Sequence, residues 1–134
     1  MKQEDKDLLL KDLCARLPYG VKCYKMTFKP ELAEEVICML RNGSHNCVQL
    51  GTFLYRLEHI KPYLFPMSSM TEEQKKEYHS IIYRSIKLHY NEYCDVIDID
   101  FFDILQEFYL KNHFDYRGLI EKGLAIDCTN LNIY

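Results

Sequence analysis

The stretch IKPYLFPMSSMTEEQKKEY, residues 60–78, separates two parts of the chain that have different sequence patterns. Pro62 and Pro66 have no amide hydrogen and a fixed φ, so neither suits a helix interior or a central strand. The sequence TEEQ at residues 71–74 has the form of a capping box. A second box begins two residues earlier, at Ser69. We therefore predict that a helix begins here, with strands mainly before it and helices after it.

The part before this stretch is predicted to form one helix and three or four strands. Leucines at helical spacing predict an amphipathic helix over residues 2–17, and Pro18-Tyr19-Gly20 ends it. Strand-like composition or alternation marks residues 21–28, 36–40 and 47–57, and residues 59–60 could add a brief strand. The loop at 42–46 has hairpin chemistry, and Gly51 suggests a bulge. Good helix formers at 31–35 leave a helix over 30–41 as an alternative to the strand.

The part after residues 60–78 is predicted to be helical almost to its end. One helix runs to about Asn91, with His89 on its apolar row as a hydrogen-bonded residue at the edge of the core. A second helix, capped by Asp98 or Asp100, carries a wide apolar face formed by Phe101, Ile104, Leu105 and Phe108. A short helix over 116–122 follows, capped by Asp115 and ended by Gly123. Lys29-Pro30-Glu31 is predicted to be a turn.

These patterns predict one α+β domain over residues 1–134. It would contain an N-terminal helix, a small, mostly antiparallel sheet of three to four strands, two main helices and a short C-terminal helix. The chain has 134 residues, 48% of them apolar and 28% charged, as in an ordinary globular protein. The net charge is −3 without a block of like charge, which argues against a basic arm for nucleic acid. Eleven tyrosines suggest contact surfaces for a partner.

The location of the protein is predicted to be cytoplasmic. The charged N-terminus has no signal-peptide pattern, and no apolar run approaches the roughly 20 residues of a membrane span. The six cysteines are therefore predicted to be reduced thiols, with Cys14, Cys38 and Cys94 acting as small hydrophobes. The sequence has no C-x-x-C pair, so we predict no structural zinc.

No motif in the sequence points to catalysis. It has no H-E-x-x-H, no phosphate-binding glycine loop and no G-x-S-x-G. The carboxylates of DVIDIDFFD, residues 95–103, alternate with apolar side chains, which favours an acidic helix start over a calcium loop. We predict no metal, no cofactor and no catalytic residue, although a cysteine–histidine pair that meets only in space would escape this reasoning.

The most concentrated set of polar functional groups lies at HFDYRG, residues 113–118. As a recognition corner it would bind a protein partner through His113, Asp115, Tyr116 and Arg117, because tyrosine and arginine are frequent interface anchors. The structural alternative is that Asp115 caps the next helix, Phe114 is buried and Arg117 pairs with an acidic residue.

A second binding hypothesis involves nucleic acid. Basic and aromatic residues on or beside the predicted sheet could contact phosphates and stack on bases. The candidates are Lys22, Tyr24, Lys25, Arg56, Lys61 and Tyr63. The acidic net charge counts against this hypothesis, and a small enzyme with a cleft between sheet and helices is a third.

Three phrases of the sequence resemble a family of short, functionally uncharacterised proteins from gut anaerobes and their phages and mobile elements. They are DLCARLPYGVKC at 12–23, IKPYLFPMSSMTEEQKKEY at 60–78 and NHFDYRGLIEKGLA at 112–125. The segment from about Met26 to Leu57 shows no fixed pattern of this family. The family has no assigned activity, so no catalytic residue is carried over. The resemblance implies a cytoplasmic protein of phage or mobile-element origin and favours a non-enzymatic protein–protein interaction module over the alternatives.

Overall fold

The computed structural model describes residues 1–26, 33–89 and 97–134, with side chains described for all of these except 85–89 and 97–100. The predicted turn at 29–31 and Cys94 and Asp95 lie outside these ranges, as do the side chain of His89 and the predicted helix end near Asn91. None of the helices within the described ranges is both long and apolar enough to cross a membrane.

The chain folds as an α+β protein with an N-terminal helix, a mixed sheet and further helices. The helices are α1 (Gln3–Arg16), α2 (Glu72–His89) and α3 (Ile97–Lys111). The strands are β1 (Lys22–Lys25), β2 (Glu34–Asn42), β3 (His45–Leu50), β4 (Phe53–Arg56), β5 (Ile60–Leu64) and β6 (Ile126–Asp127). The strand prediction for 36–40 is confirmed in preference to the alternative helix.

The sheet has six strands in the order β4-β3-β2-β1-β5-β6. All neighbouring strands are antiparallel except β5 and β6, which are parallel. The predicted three to four strands were therefore too few. A turn at Gly51, whose φ is 57°, divides the predicted strand 47–57 into β3 and β4. The two-residue β6 is too short to leave a pattern in the sequence.

The expectation for Pro62 was wrong, because this proline lies inside β5, between β1 and β6. The Met26 amide donates to the His59 carbonyl at 2.8 Å, and bonded pairs alternate along an antiparallel ladder. Pro62, opposite Cys23, therefore occupies a position that donates nothing to β1. On the other side, pairing with β6 begins only at Tyr63. The missing amide hydrogen thus costs no ladder bond.

The helix start predicted in the central stretch is confirmed. The Gln74 amide donates to Thr71 Oγ1 at 3.2 Å, and the Thr71 amide donates to Gln74 Oε1 at 2.8 Å. Both bonds of the capping box are present, and α2 begins at Glu72. Ser69 instead ends a short 3₁₀ turn, where its hydroxyl donates to the Pro66 carbonyl.

Helix α3 begins before the position predicted for its cap. Its first residue is Ile97, so Asp98 and Asp100 lie inside the helix and neither caps it. The predicted end at residues 112–113 is confirmed. His113 has a φ of 59°, its amide donates to the Leu110 carbonyl, and the Phe114 amide donates to the Tyr109 carbonyl. This is a Schellman motif with histidine where glycine is usual.

The predicted short helix over 116–122 is absent, and the chain makes a series of turns there. Gly118, with a φ of 72°, interrupts the helical path because right-handed helices require negative φ. Asp115 still acts as a cap, but its carboxylate accepts from the Leu119 and Ile120 amides, beyond this break. Only one turn forms, and it ends at Gly123, whose φ is 71°.

The core has two apolar clusters. In the larger, Leu9 and Leu13 of α1 pack against one face of the sheet, here called the helix face, which includes Cys23, Val48 and Ile60. We call the opposite face the outer face. The smaller cluster contains Ile81, Phe108 and Phe114 with partly buried aromatic neighbours. The site described below lies between α1 and α3.

Five cysteines lie in the described ranges, and all are free thiols. Cys14 is exposed, so its predicted role as a small hydrophobe was wrong. Burial raises the pKa of the Cys23 thiol far above its usual range and that of Cys128 to about 11. These two thiols therefore stay protonated near neutral pH, and a protonated thiol is a poor nucleophile.

Candidate functional site

The predicted recognition corner, residues 113–117, is fixed to the end of β5. The Phe65 amide donates to the His113 carbonyl at 2.9 Å, and the Asp115 amide donates to the Phe65 carbonyl at 2.8 Å. Phe65 and Phe114 form a parallel bridge. The backbone of the corner is thus held on both sides of Phe114, and its side chains point in several directions from a rigid support.

Asp115 is committed to the fold. Its side chain is buried, and each carboxylate oxygen accepts one backbone amide at 2.8 Å, from Leu119 and from Ile120. Buried amides must be paired with an acceptor, so this carboxylate replaces the bonds that a regular helix would supply. Of the four predicted partner-binding residues, Asp115 therefore follows the structural alternative.

A buried charged cluster lies behind the corner. Arg16 donates from Nε to Asp12 Oδ2 at 2.6 Å and from one terminal nitrogen to the Phe114 carbonyl at 2.7 Å. Arg117 Nε lies 3.2 Å from Asp12 Oδ1. The side chains of Asp12 and Arg16 are fully buried, and 16% of the Arg117 side chain is exposed. Two guanidinium groups therefore share one carboxylate.

Sequence reasoning missed this cluster, although a signal was present. Leu9, Asp12, Leu13 and Arg16 are spaced i, i+3, i+4 and i+7, which places them on one face of α1. The leucines were assigned to the core, whereas Asp12 was assigned to other positions. An oppositely charged i, i+4 pair within an apolar stripe indicates a buried ion pair at the end of that stripe.

A groove with a volume of about 380 Å³ opens in front of the cluster, between α1 and α3. It is lined by Lys11, Phe102, Leu105, Gln106, Tyr109, Tyr116 and Arg117. Tyr116 and Arg117, two of the predicted partner-binding residues, thus meet in one concave surface with residues that the prediction did not include. Among the described residues, none of those that line this groove is acidic.

The aromatic floor of the groove is ordered by stacking. The Tyr109 and Tyr116 rings lie 5.2 Å apart at an angle of 15°, and the Arg117 guanidinium lies 4.7 Å from the Tyr116 ring centre. Burial, followed by the nearby Tyr78, raises the pKa of Tyr109 to about 12, so its hydroxyl stays protonated. Phe102 projects at the rim with 65% of its surface exposed. The groove thus combines a rigid aromatic platform with two cations.

His113 faces away from this groove, toward the end of the chain. Its ring stacks on Tyr134 with centres 3.6 Å apart, and its Nδ1 is buried without a hydrogen-bond partner. The Tyr134 hydroxyl accepts from the Lys22 amide and donates to the Tyr63 carbonyl. Burial, with the charges of Arg16 and Lys22, lowers the pKa of His113 to about 4. His113 therefore anchors residues 133–134 and does not join Tyr116 and Arg117.

Acid is expected to destabilise the fold through His113. Because its pKa falls from 6.5 to about 4 on folding, the unfolded chain is protonated first as the pH drops. The stability supplied by the neutral ring is present above pH 6.5 and is lost as the pH falls toward 4. His113→Asn, which tolerates positive φ, should show a smaller loss across this window in urea unfolding. Equal pH dependence of both proteins would contradict the assignment.

The residues predicted to contact nucleic acid do not form one surface. Lys25 lies on the helix face with Cys23, is buried and pairs with Glu34 at 2.9 Å. Lys22 bonds to the Ile133 carbonyl, and Tyr63 is buried. Tyr24 and Lys61 are direct neighbours on the outer face. Exposed Arg56 lies on β4, three strands away from β1.

Comparison with known proteins finds no match for the chain among protein-family models, curated proteins or solved structures. The resemblance of its three phrases to short proteins of gut anaerobes therefore stays a prediction. The arrangement of the groove is the basis of the functional argument.

Proposed function

We propose that the protein is a non-enzymatic protein–protein interaction module whose contact surface is the groove between α1 and α3. The observation that carries this proposal is the lining of the groove, which joins Phe102, Tyr109 and Tyr116 to the cations Lys11 and Arg117. Aromatic residues and arginine are enriched at interface positions that contribute most to affinity. The predicted anchors Tyr116 and Arg117 form one end of this surface.

The aromatic platform is suited to binding because it is already ordered. A side chain that becomes fixed on binding loses conformational entropy, at a cost of about 0.5–1.5 kcal/mol. Tyr116 is held between the Tyr109 ring and the Arg117 guanidinium. Arg117 in turn lies beside buried Asp12. A partner would therefore meet side chains that have little freedom left to lose.

The charges of the groove select the chemistry of the partner. Lys11 and Arg117 line it without an opposing acidic group among the described lining residues, while Leu105 and the rings offer apolar contact. We infer a partner segment that carries an aspartate or glutamate next to an aromatic or aliphatic side chain. The resemblance to proteins of phages and mobile elements supports a cytoplasmic setting for this contact.

Selection from a random peptide library displayed on phage tests the proposal with a defined probe. Peptides that bind the immobilised protein should be enriched in an acidic residue adjacent to an apolar one. They should bind at least tenfold more weakly to Arg117→Gln and Lys11→Gln, because a charge-assisted hydrogen bond contributes about 1.5–3 kcal/mol. Lys75→Gln, on the exposed surface of α2, is the matched control and should bind like wild type. Peptides that bind all four proteins equally would overturn the proposal.

A single-stranded oligonucleotide serves as the opposing probe, because stacked aromatic rings and cations also suit nucleic acid. If two groove cations contacted phosphates, the logarithm of the affinity should fall with the logarithm of salt concentration with a slope of about −1.4. Binding with that slope, lost in the same two variants, would assign the groove to nucleic acid. The absence of such binding, with peptides selected, is the expected result.

A further inference from the structure

Strand β4 is the outer strand at one edge of the described sheet, and its side chains are unusually apolar for an edge. Its sequence is Phe53-Leu54-Tyr55-Arg56. Phe53 is 67% exposed and Leu54 is 48% exposed. Proteins commonly protect edge strands with lysine, proline or a bulge, because unpaired backbone groups recruit other strands. Only Arg56 serves this purpose here, and it stands at the end of the strand.

We propose that β4 pairs antiparallel with β4 of a second copy of this chain, with the two-fold axis at Leu54. A two-fold axis that relates adjacent antiparallel strands is perpendicular to the sheet, so both copies keep the same face on the same side. Residues that pair directly must then lie on the same face of β4. The two sheets would join into one continuous sheet, with both α1 helices on one side.

The side chains of β4 match themselves in this register. Leu54 meets Leu54 of the partner subunit at the axis, on the outer face. On the helix face, Phe53 lies opposite Tyr55 of the partner subunit, and the pair occurs twice by symmetry. Aromatic pairs and aliphatic pairs across strands each contribute about 0.2–1 kcal/mol, whereas like charges directly opposite destabilise. Arg56 lies opposite Thr52 of the partner subunit, so no like charges meet.

The alternative symmetric register, centred on Tyr55, fits less well. It would place Phe53 opposite Leu57, which is 2% exposed and already lies in the 3₁₀ turn Leu57–His59. That turn ends the extended segment. The register centred on Leu54 needs only Thr52 to Arg56, and these residues precede the turn.

Other exposed apolar side chains favour a second copy as the occupant of this edge. Leu40 and Leu54 lie on the outer face of β2 and β4, on either side of β3, and Leu40 is 43% exposed. Pairing at β4 brings the two copies of this apolar strip together across the axis. This inference is independent of the groove, which is lined by residues of α1, α3 and the corner.

Sedimentation velocity over a range of concentrations tests the pairing. Wild type should change from the monomer mass of 16.1 kDa to twice that mass as concentration rises. Leu54→Lys, which sets two ammonium groups opposite each other at the axis, should stay monomeric. Leu131→Lys is the matched control, since Leu131 is 46% exposed and lies outside the sheet, and it should dimerise like wild type. A monomer at every concentration, or a dimer that Leu54→Lys leaves intact, would overturn the proposal.

Hydrogen exchange on the wild-type protein tests the same contact without a substitution. Amides of residues 53–56 should exchange more slowly at high concentration than at low concentration, and amides of α3 should not change. Protection of α3 residues without protection of β4 would place the contact in the groove and overturn the β4 pairing. Arg117→Gln should leave dimer formation unchanged, so failure of the groove proposal and failure of this one give different results.

Discussion

Asp12→Ala is expected to lower the free energy of unfolding by about 3–5 kcal/mol, because it leaves buried guanidinium charge without a counter-ion. Arg16 is fully buried, and Asp12 accepts from two of its nitrogens. The remaining bond from Arg16 to the Phe114 carbonyl supplies an acceptor but no full negative charge. Arg117, 3.2 Å from the same carboxylate, loses its ion pair as well.

Urea unfolding followed by circular dichroism measures this loss. Asp7→Ala is the matched control, since Asp7 is an exposed aspartate of the same helix, and it should change stability by less than about 0.5 kcal/mol. Asp12→Leu combined with Arg16→Met removes both charges and should cost less than Asp12→Ala alone. A loss from Asp12→Ala as small as that of the control would show that the charged cluster does not stabilise the fold.

Phe114→Ala should cost about 3–5 kcal/mol, as expected when a buried aromatic side chain is removed and leaves a cavity. Phe114 is 1% exposed, and its ring centre lies 5.8 Å from that of Phe108. It also completes the Schellman motif at the end of α3, where an apolar contact commonly accompanies the two amide bonds. The loss should therefore loosen the end of α3 as well as the smaller core cluster.

The same unfolding measurement on Phe102→Ala gives the comparison. Phe102 is 65% exposed, so its removal should change the free energy of unfolding by less than about 0.5 kcal/mol. Phe102→Ala should instead weaken peptide binding in the groove. Equal stability losses for the two phenylalanines would contradict the division between a packing residue at 114 and a contact residue at 102.

Local signals in the sequence predicted the parts of the fold that depend on neighbouring residues. The capping box at 71–74 located the start of α2, and leucine spacing located α1. The end of α3 at 112–113 was also predictable, and the structure adds that His113 takes the left-handed conformation. In each case the hydrogen bonds or contacts join residues within about two turns of each other.

Features that depend on distant residues were not predictable in this way. Pro62 is tolerated in β5 because β6, more than 60 residues later, pairs only beyond it. The helix predicted at 116–122 failed because Asp115 and Gly118 produce separate turns on a corner fixed by Phe65. Tyr116 and Arg117 were found from composition, but their groove neighbours on α1 and α3 become apparent only in the folded chain.

Photo-cross-linking from position 102 tests the central claim most directly, namely that the groove contacts a protein partner. Benzoylphenylalanine would replace Phe102 at the rim of the groove, and a second protein would carry it at Tyr83, which is 63% exposed on α2. After irradiation in cells of the native host, we expect position 102, but not position 83, to give an adduct with a protein of defined mass. That adduct should disappear when Arg117→Gln is added. No adduct from position 102, or the same adducts from both positions, would contradict the claim.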